Sequence, residues 1–136
     1  IDLWGYWFDW GEFLTALEKG EGIEAALHTP RWVRQHFPEA RILMLYRREE
    51  LVTGVWPEEM KERALGLSLR LDAGISEFTA RTFGKAGREE INRTVFAIID
   101  VPCAAVLRYI RQGKKPPRSL EDYIAKTYNT IMRRMK

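Results

Sequence analysis

The chain has 136 residues, 46% of them hydrophobic and 30% charged, with a formal net charge of +3. This length suits a single core, and the composition is that of an ordinary globular protein. The longest apolar runs, at 42–46 and 95–99, are much shorter than the roughly 20 residues that cross a bilayer. We therefore expect one soluble domain over residues 1–136, either whole or excised from a longer protein, without membrane contact.

Sequence motifs for metals, nucleotides and secretion are absent. Cys103 is the single cysteine and cannot form an internal disulfide, and no signal-like segment is present, which favours a cytoplasmic setting. There is no CxxC, HExxH, GxGxxG or Walker A pattern. We therefore expect no metal and no cofactor, leave enzymatic activity open with a preference for none, and interpret Cys103 as a buried structural thiol.

The first predicted element is a buried strand over residues 1–8, because the run IDLWGYWF is aromatic, apolar and too short for a helix. Asp9 is then the expected N-cap of a helix that covers 10–19 and ends at Gly20. Apolar residues recur in this helix at spacings of three and four, which defines one buried face.

Two prolines divide the next stretch. A short helix is predicted over 22–28, after which Pro30 occupies the first position of another helix, where its missing N–H costs nothing. Pro38 is expected to stop that helix.

The middle of the chain has β-type patterns. Four leucines alternate with other residues over 65–71, a turn sequence occupies 72–74, and β-compatible residues follow over 75–83, which together predict a hairpin. The remaining predicted strands are 41–46 and 51–56, paired as a second hairpin, and a long buried strand over 90–101.

The end of the chain is predicted to be helical, with one helix over 104–112 that ends at Gly113 and a last helix from Ser119 to about Met135. Strands in the middle and helices at both ends predict an α+β fold. The expected architecture is a mainly antiparallel sheet of about five or six strands with the helices packed on one face.

Charge is distributed unevenly along the chain. Residues 103–136 contain nine Lys or Arg and only two acidic residues, a net charge of +7, whereas residues 1–102 carry a net charge of −4. A basic segment on an acidic body indicates an anionic partner. We therefore predict a non-enzymatic module that binds nucleic acid, either DNA or RNA, or another polyanion.

The predicted phosphate-contacting residues lie on the last two helices and in the loop GKKPPRS between them, where proline keeps the backbone extended. They are Arg108, Arg111, Lys114, Lys115, Arg118, Arg133 and Arg134. Cations in the last turn of a helix are favoured by the helix dipole in any case, so a solvated face or a contact between subunits explains part of the same pattern.

A competing hypothesis uses the aromatic N-terminal region. Trp4, Trp7 and Trp10 crowd the first ten residues, and Trp4 and Trp7 cannot both face inward on a regular strand. Exposed aromatic residues are typical of partner sites. The alternative function is therefore a protein-interaction or homo-oligomerisation domain, and a third is an enzyme or small-molecule-binding domain with a pocket between sheet and helices.

One weak catalytic pattern occurs in the segment HTPRWVRQH. Arg31 and His36 have the Arg-x4-His spacing found in some metal-independent ribonucleases of an all-helical class. Such a spacing is common by chance, and the predicted β content does not resemble an all-helical class. We therefore interpret His28 and His36 as surface or capping residues.

Overall fold

The computed structural model describes residues 10–45 and 58–133, and all the regular elements in these ranges are helices. They are α1 (Trp10–Glu18), α2 (Gly22–Gln35), α3 (Phe37–Leu45), α4 (Glu58–Phe83), α5 (Arg88–Val95), a π-helical turn (Phe96–Asp100), α6 (Val101–Arg111) and α7 (Ser119–Ile131). The predicted α+β fold with an antiparallel sheet is therefore wrong, and the described part of the chain is all-α. No helix in these ranges is both long and apolar enough to cross a membrane.

Helix α2 lies at the centre of the described structure. It contacts α1, α3, α6, α7 and the π turn, and nine of its 14 residues are buried. Small residues such as Ala25 and Ala26, which are fully buried, let the neighbouring helices approach closely. Side chains on the exposed remainder of α2 are thereby held on a rigid support between α1 and α7.

The predicted hairpin over 65–83 is instead part of one 26-residue helix, α4, and runs to its C-terminal end. Its inward-facing stripe consists of the half-buried Leu67 and Leu71 and the buried Ile75 and Phe78, at helical spacings of three and four. Leu65 and Leu69, which complete the apparent alternation, are 63% and 62% exposed. The period of two arose because two exposed leucines fall between the positions of a helical stripe.

The predicted strand over 90–101 is also helical. It is covered by α5, the π turn and the first residue of α6, which follow one another without a break. Thr94, Ala97 and Ile98 are buried and share one helical face. The run of apolar residues over 95–99 that predicted a strand is therefore helical, with Ala97 and Ile98 facing the core and Phe96 44% exposed.

The predicted roles of Pro30, as a helix start, and of Pro38, as a helix stop, are both wrong. Pro30 lies inside α2 and is buried, so the two short helices predicted there are one. Pro38 is the second residue of α3, where proline is tolerated because its missing N–H has no helical partner. The predicted strand over 41–46 is also wrong, since its residues 41–45 belong to α3, which continues to Leu45.

The predicted helix ends that rest on glycine are confirmed at two positions. Gly20 follows α1 with φ of 77°, and Gly113 follows α6 with φ of 71°, both in the left-handed region that glycine adopts without strain. After α6 the N–H of Gly113 donates to the Ile110 carbonyl at 2.9 Å and that of Lys114 donates to the Tyr109 carbonyl at 3.0 Å. This Schellman motif turns the chain from α6 into the loop that precedes α7.

Candidate functional site: a basic cleft

The loop between α6 and α7 brings two of its cations next to two arginines of α2. Lys115 and Arg118 line an open cleft of about 550 Å³ together with Arg31 and Arg34, and the lining is completed by Gln35 and Glu121. Four cations and one carboxylate give this lining a net charge of +3. We call these six residues the basic cleft.

Packing fixes the geometry of the basic cleft from both sides. Pro116 is buried within the loop, so Lys115 beside it is held close to the body of the protein while remaining exposed. Arg118 directly precedes α7, whose Leu120 and Ile124 are buried in the core. Because α7 packs along α2, the loop and the arginines of α2 face the same space.

Glu121, the one acidic residue of the cleft, binds both arginines of α2. Its Oε1 accepts a hydrogen bond from Arg31 Nε at 2.8 Å and one from Arg34 Nη2 at 3.0 Å. Arg31 also donates through Nη1 to Glu24 Oε2 at 2.6 Å. Glu121 is only 18% exposed, so this carboxylate holds the two guanidinium groups in place.

These contacts shift the pKa values of the partners in the expected directions. Burial acts to raise the pKa of Glu121, but the hydrogen bonds and charges of Arg34 and Arg31 outweigh it and leave that pKa below its ordinary value. Burial acts to lower the pKa of Arg31, and the hydrogen bonds from Arg31 to Glu24 and Glu121 raise it overall. Both groups are therefore charged throughout the physiological pH range.

One hydrogen-bond donor of the basic cleft has no acceptor among the described residues. Arg34 Nη1 is buried and has no hydrogen-bond partner among the described residues. A buried donor without an acceptor costs about 1–3 kcal/mol, and more when it is charged. A ligand oxygen that reached Arg34 would supply the missing acceptor.

The basic residues predicted from the sequence do not form one surface. Lys115 and Arg118 line the basic cleft, whereas Arg108, Arg111 and Lys114 are exposed and do not line it. Arg133 follows the other end of α7, where its backbone carbonyl accepts a hydrogen bond from Arg93. Arg134 lies outside the described residues. Nothing in the structure supports DNA in particular as a ligand.

Arg34 was not predicted as a site residue from the sequence, and Arg31 was not assigned to the basic surface. Counting charge by segment placed both in the acidic part of the chain. Their spacing of three places them on one face of a helix, which was the available signal. Their proximity to Glu121, about 90 residues away along the chain, has no signature in the sequence.

A second cavity adjoins the basic cleft and shares Arg31 and Gln35 with it. It has a volume of about 650 Å³ and lies between α1 and α2. Its charged lining residues are Glu12, Lys19, Glu21, Glu24 and Arg31, a net charge of −1 with both histidines neutral. We call it the acidic cavity.

Both histidines line the acidic cavity. His28 is buried and its Nδ1 lies 3.7 Å from Glu12 Oε2. His36 is exposed, and its ring stacks on that of Trp32 with the centroids 5.1 Å apart and an angle of 30° between the planes. The interpretation of both as surface or capping residues is therefore incomplete, because each lines a cavity.

The Arg-x4-His pattern was set aside partly because of the predicted β content, which is wrong, since the described structure is all-α. Arg31 and His36 do line the same cavity. However, three carboxylates line this cavity, those of Glu12, Glu21 and Glu24, so the cavity is a poor place for a phosphate. The spacing stays an untested hypothesis.

Trp4 and Trp7 of the aromatic N-terminal region lie outside the described residues. Trp10 is the first residue of α1, and its side chain is not described. The predicted strand over 1–8, the N-cap Asp9 and the predicted strand over 51–56 also lie outside. Metal-binding groups of three or more His, Cys, Asp or Glu side chains do not occur among the residues that the structure describes.

Cys103 lies in α6 and is predicted to react slowly. Burial raises its pKa to about 11, the charge of Asp100 adds to this, and a hydrogen bond with Thr29 opposes it. At pH 8 a thiol with this pKa is about one part in a thousand thiolate, against about a quarter for an ordinary cysteine. We expect Ellman's reagent at pH 8 to label the native protein about a hundredfold more slowly than the chain unfolded in guanidinium. Equal rates in the two states would contradict this environment.

Comparison of the chain with protein-family models, with curated proteins and with solved structures gives no significant match.

Proposed function

We propose that this protein binds a polyanion, specifically nucleic acid, through the basic cleft. The observation that carries the proposal is the convergence of Arg31, Arg34, Lys115 and Arg118 on one open cleft that contains a single carboxylate. Two of these cations come from α2 and two from the loop before α7. Like charges brought together by folding repel one another, so an anionic ligand that neutralises them is favoured.

The types of residue in the basic cleft suit phosphate groups. Arginine offers a planar set of donors that binds two oxygens at once, and lysine acts as a point charge. Arg34 is held at the cleft by its hydrogen bond to Glu121, and its buried Nη1 has no partner among the described residues. Each phosphate that is neutralised also releases counterions, which gives affinity together with a dependence on salt.

The test is binding of a fluorescent single-stranded oligonucleotide by anisotropy at about 50 mM salt, where such contacts are strongest. The double variant Lys115→Ala/Arg118→Ala is expected to bind at least about tenfold more weakly. It should also lower the slope of log affinity against log salt by about 1.4, because two phosphate contacts are lost at about 0.7 each.

Arg108→Ala/Arg111→Ala is the matched control, since it removes the same charge from exposed positions that do not line the cleft. It is expected to retain most of the affinity. If both double variants lost affinity equally, the cleft would not be the site, and absence of binding by the unchanged protein would end the proposal.

The other functions predicted from the sequence stay predictions. An interaction or homo-oligomerisation surface was assigned to the tryptophans of the N-terminal region, and a pocket was expected between sheet and helices. The described structure contains no sheet, so the expected pocket between sheet and helices is not present there, although a cavity lies between α1 and α2. A cytoplasmic setting remains our inference from the cysteine content.

A further inference from the structure

The basic cleft and the acidic cavity adjoin each other and carry opposite charges. The cleft lining sums to +3 and the cavity lining to −1, and the two share Arg31 and Gln35. A polyphosphate chain that continued from the cleft into the cavity would meet the carboxylates of Glu12, Glu21 and Glu24. The pair of sites therefore suits a ligand whose two ends differ, one anionic and the other uncharged with hydrogen-bond donors.

A nucleotide of a single-stranded nucleic acid has these two ends. We propose that the acidic cavity holds an unpaired guanine base whose phosphate lies in the basic cleft. The inference rests on the proposed function, since it requires the cleft to bind the phosphate. A cavity of about 650 Å³ is within the range that holds ligands of nucleoside size.

Guanine is the base that fits the carboxylates best. Its Watson–Crick edge presents two adjacent N–H donors, which a carboxylate accepts in parallel as charge-assisted hydrogen bonds. The same edge of uracil presents carbonyl oxygens on both sides of one donor and would be repelled. Glu24 is bound to Arg31, which leaves Glu12 and Glu21 of the lining. We assign the contact to Glu12, whose side chain is 73% exposed and whose Oε2 lies 3.7 Å from His28 Nδ1.

A stacking surface is already present in the acidic cavity. Trp32 is 3% exposed and cannot itself receive a base, but the His36 ring stacked on it is exposed. A base on the outer face of His36 would extend this stack, as aromatic side chains do in proteins that bind single strands. Paired bases in a duplex have neither a free face nor a free Watson–Crick edge, so the site selects single strands.

The experiment compares three 12-nucleotide RNAs by anisotropy: oligo(U), oligo(U) with one central G, and the same strand with a central A. The unchanged protein is expected to bind the G-containing strand about tenfold more tightly than the other two. Glu12→Gln should abolish this preference, because an amide presents one acceptor and one donor in place of two acceptors. His36→Ala should weaken binding of all three strands.

Glu18→Gln is the matched control, since Glu18 lies exposed on the same helix and does not line the cavity; it should keep the G preference. Equal affinity of the unchanged protein for the three strands overturns the inference and leaves the proposed function standing. A preference that survives in Glu12→Gln overturns the role of Glu12. Absence of binding to any strand overturns the proposed function and this inference together.

Discussion

Gly22→Ala is expected to destabilise the protein by about 3 kcal/mol, at the upper end of the cost of forcing extra volume into a packed site. Gly22 is the first residue of α2. A methyl group there would overlap Tyr128 Oη and come within 2.6 Å of Phe78 Cζ. Phe78 is 3% exposed, so its ring has little room to withdraw, and both rings must shift together. The free energy of unfolding in urea measures the effect.

Gly66→Ala is the matched control for this substitution. A methyl group at Gly66, on an exposed part of α4, meets no atom within 4 Å. Alanine is there expected to stabilise the helix by about 0.5–1 kcal/mol, because glycine is the poorer helix former. Effects of the same sign at Gly22 and Gly66 would contradict the close approach of Tyr128 and Phe78 to α2.

A second substitution locates the strain of Gly22→Ala. Tyr128→Phe removes the oxygen that the new methyl group would overlap, but leaves the ring carbon Cζ of Tyr128 within 2.6 Å. The double variant is therefore expected to recover about 1 kcal/mol, a coupling typical of residues in contact. Strictly additive losses would show that the two positions do not touch.

The sequence predicted the helix end at Gly113 from the glycine, and it predicted α1 from apolar residues spaced three and four apart. The hairpin over 65–83 was predicted wrongly because apolar alternation was given more weight than helix propensity. Residues 58–71 are rich in Glu, Leu and Arg, which are good helix formers. Period and propensity disagreed over this segment, and α4 follows the propensity.

Only the loop residues of the candidate site were predictable from the sequence. Lys115 and Arg118 stood out because they are clustered in sequence beside two prolines. Their partners on α2 belong to a segment whose net charge is negative, and no local pattern links Arg34 to Glu121. That link depends on α7 packing against α2, which is decided by the shape of the whole core rather than by any one segment.

Glu121→Gln is expected to change stability and binding in opposite directions. Glutamine keeps one acceptor oxygen but loses the charge that holds Arg31 and Arg34, which should cost about 1–3 kcal/mol of stability. The same change raises the net charge of the cleft lining from +3 by one and frees both guanidinium groups for ligand. We expect single-stranded RNA to bind about five- to tenfold more tightly, equivalent to roughly 1 kcal/mol.

Asp122→Asn is the control for Glu121→Gln. Both acidic residues lie in the first turn of α7, so both variants lose the same charge near the helix dipole, but Asp122 is exposed and does not line the cleft. It should alter stability by less than about 1 kcal/mol and affinity only slightly. An equal gain of affinity in both variants would mean that net charge, rather than the cleft, determines binding.

The pH dependence of the free energy of unfolding also tests whether the charge of Glu121 stabilises the fold. Because the pKa of Glu121 is lowered from its ordinary value of 4.5 in the folded protein, its carboxylate stabilises the fold fully above about pH 4.5. This contribution is lost as the pH falls through the folded pKa. The stability deficit of Glu121→Gln should therefore be constant near neutral pH and shrink progressively below pH 4.5. A deficit that stayed constant down to pH 2 would show that the variant acts through packing and not through the charge of Glu121.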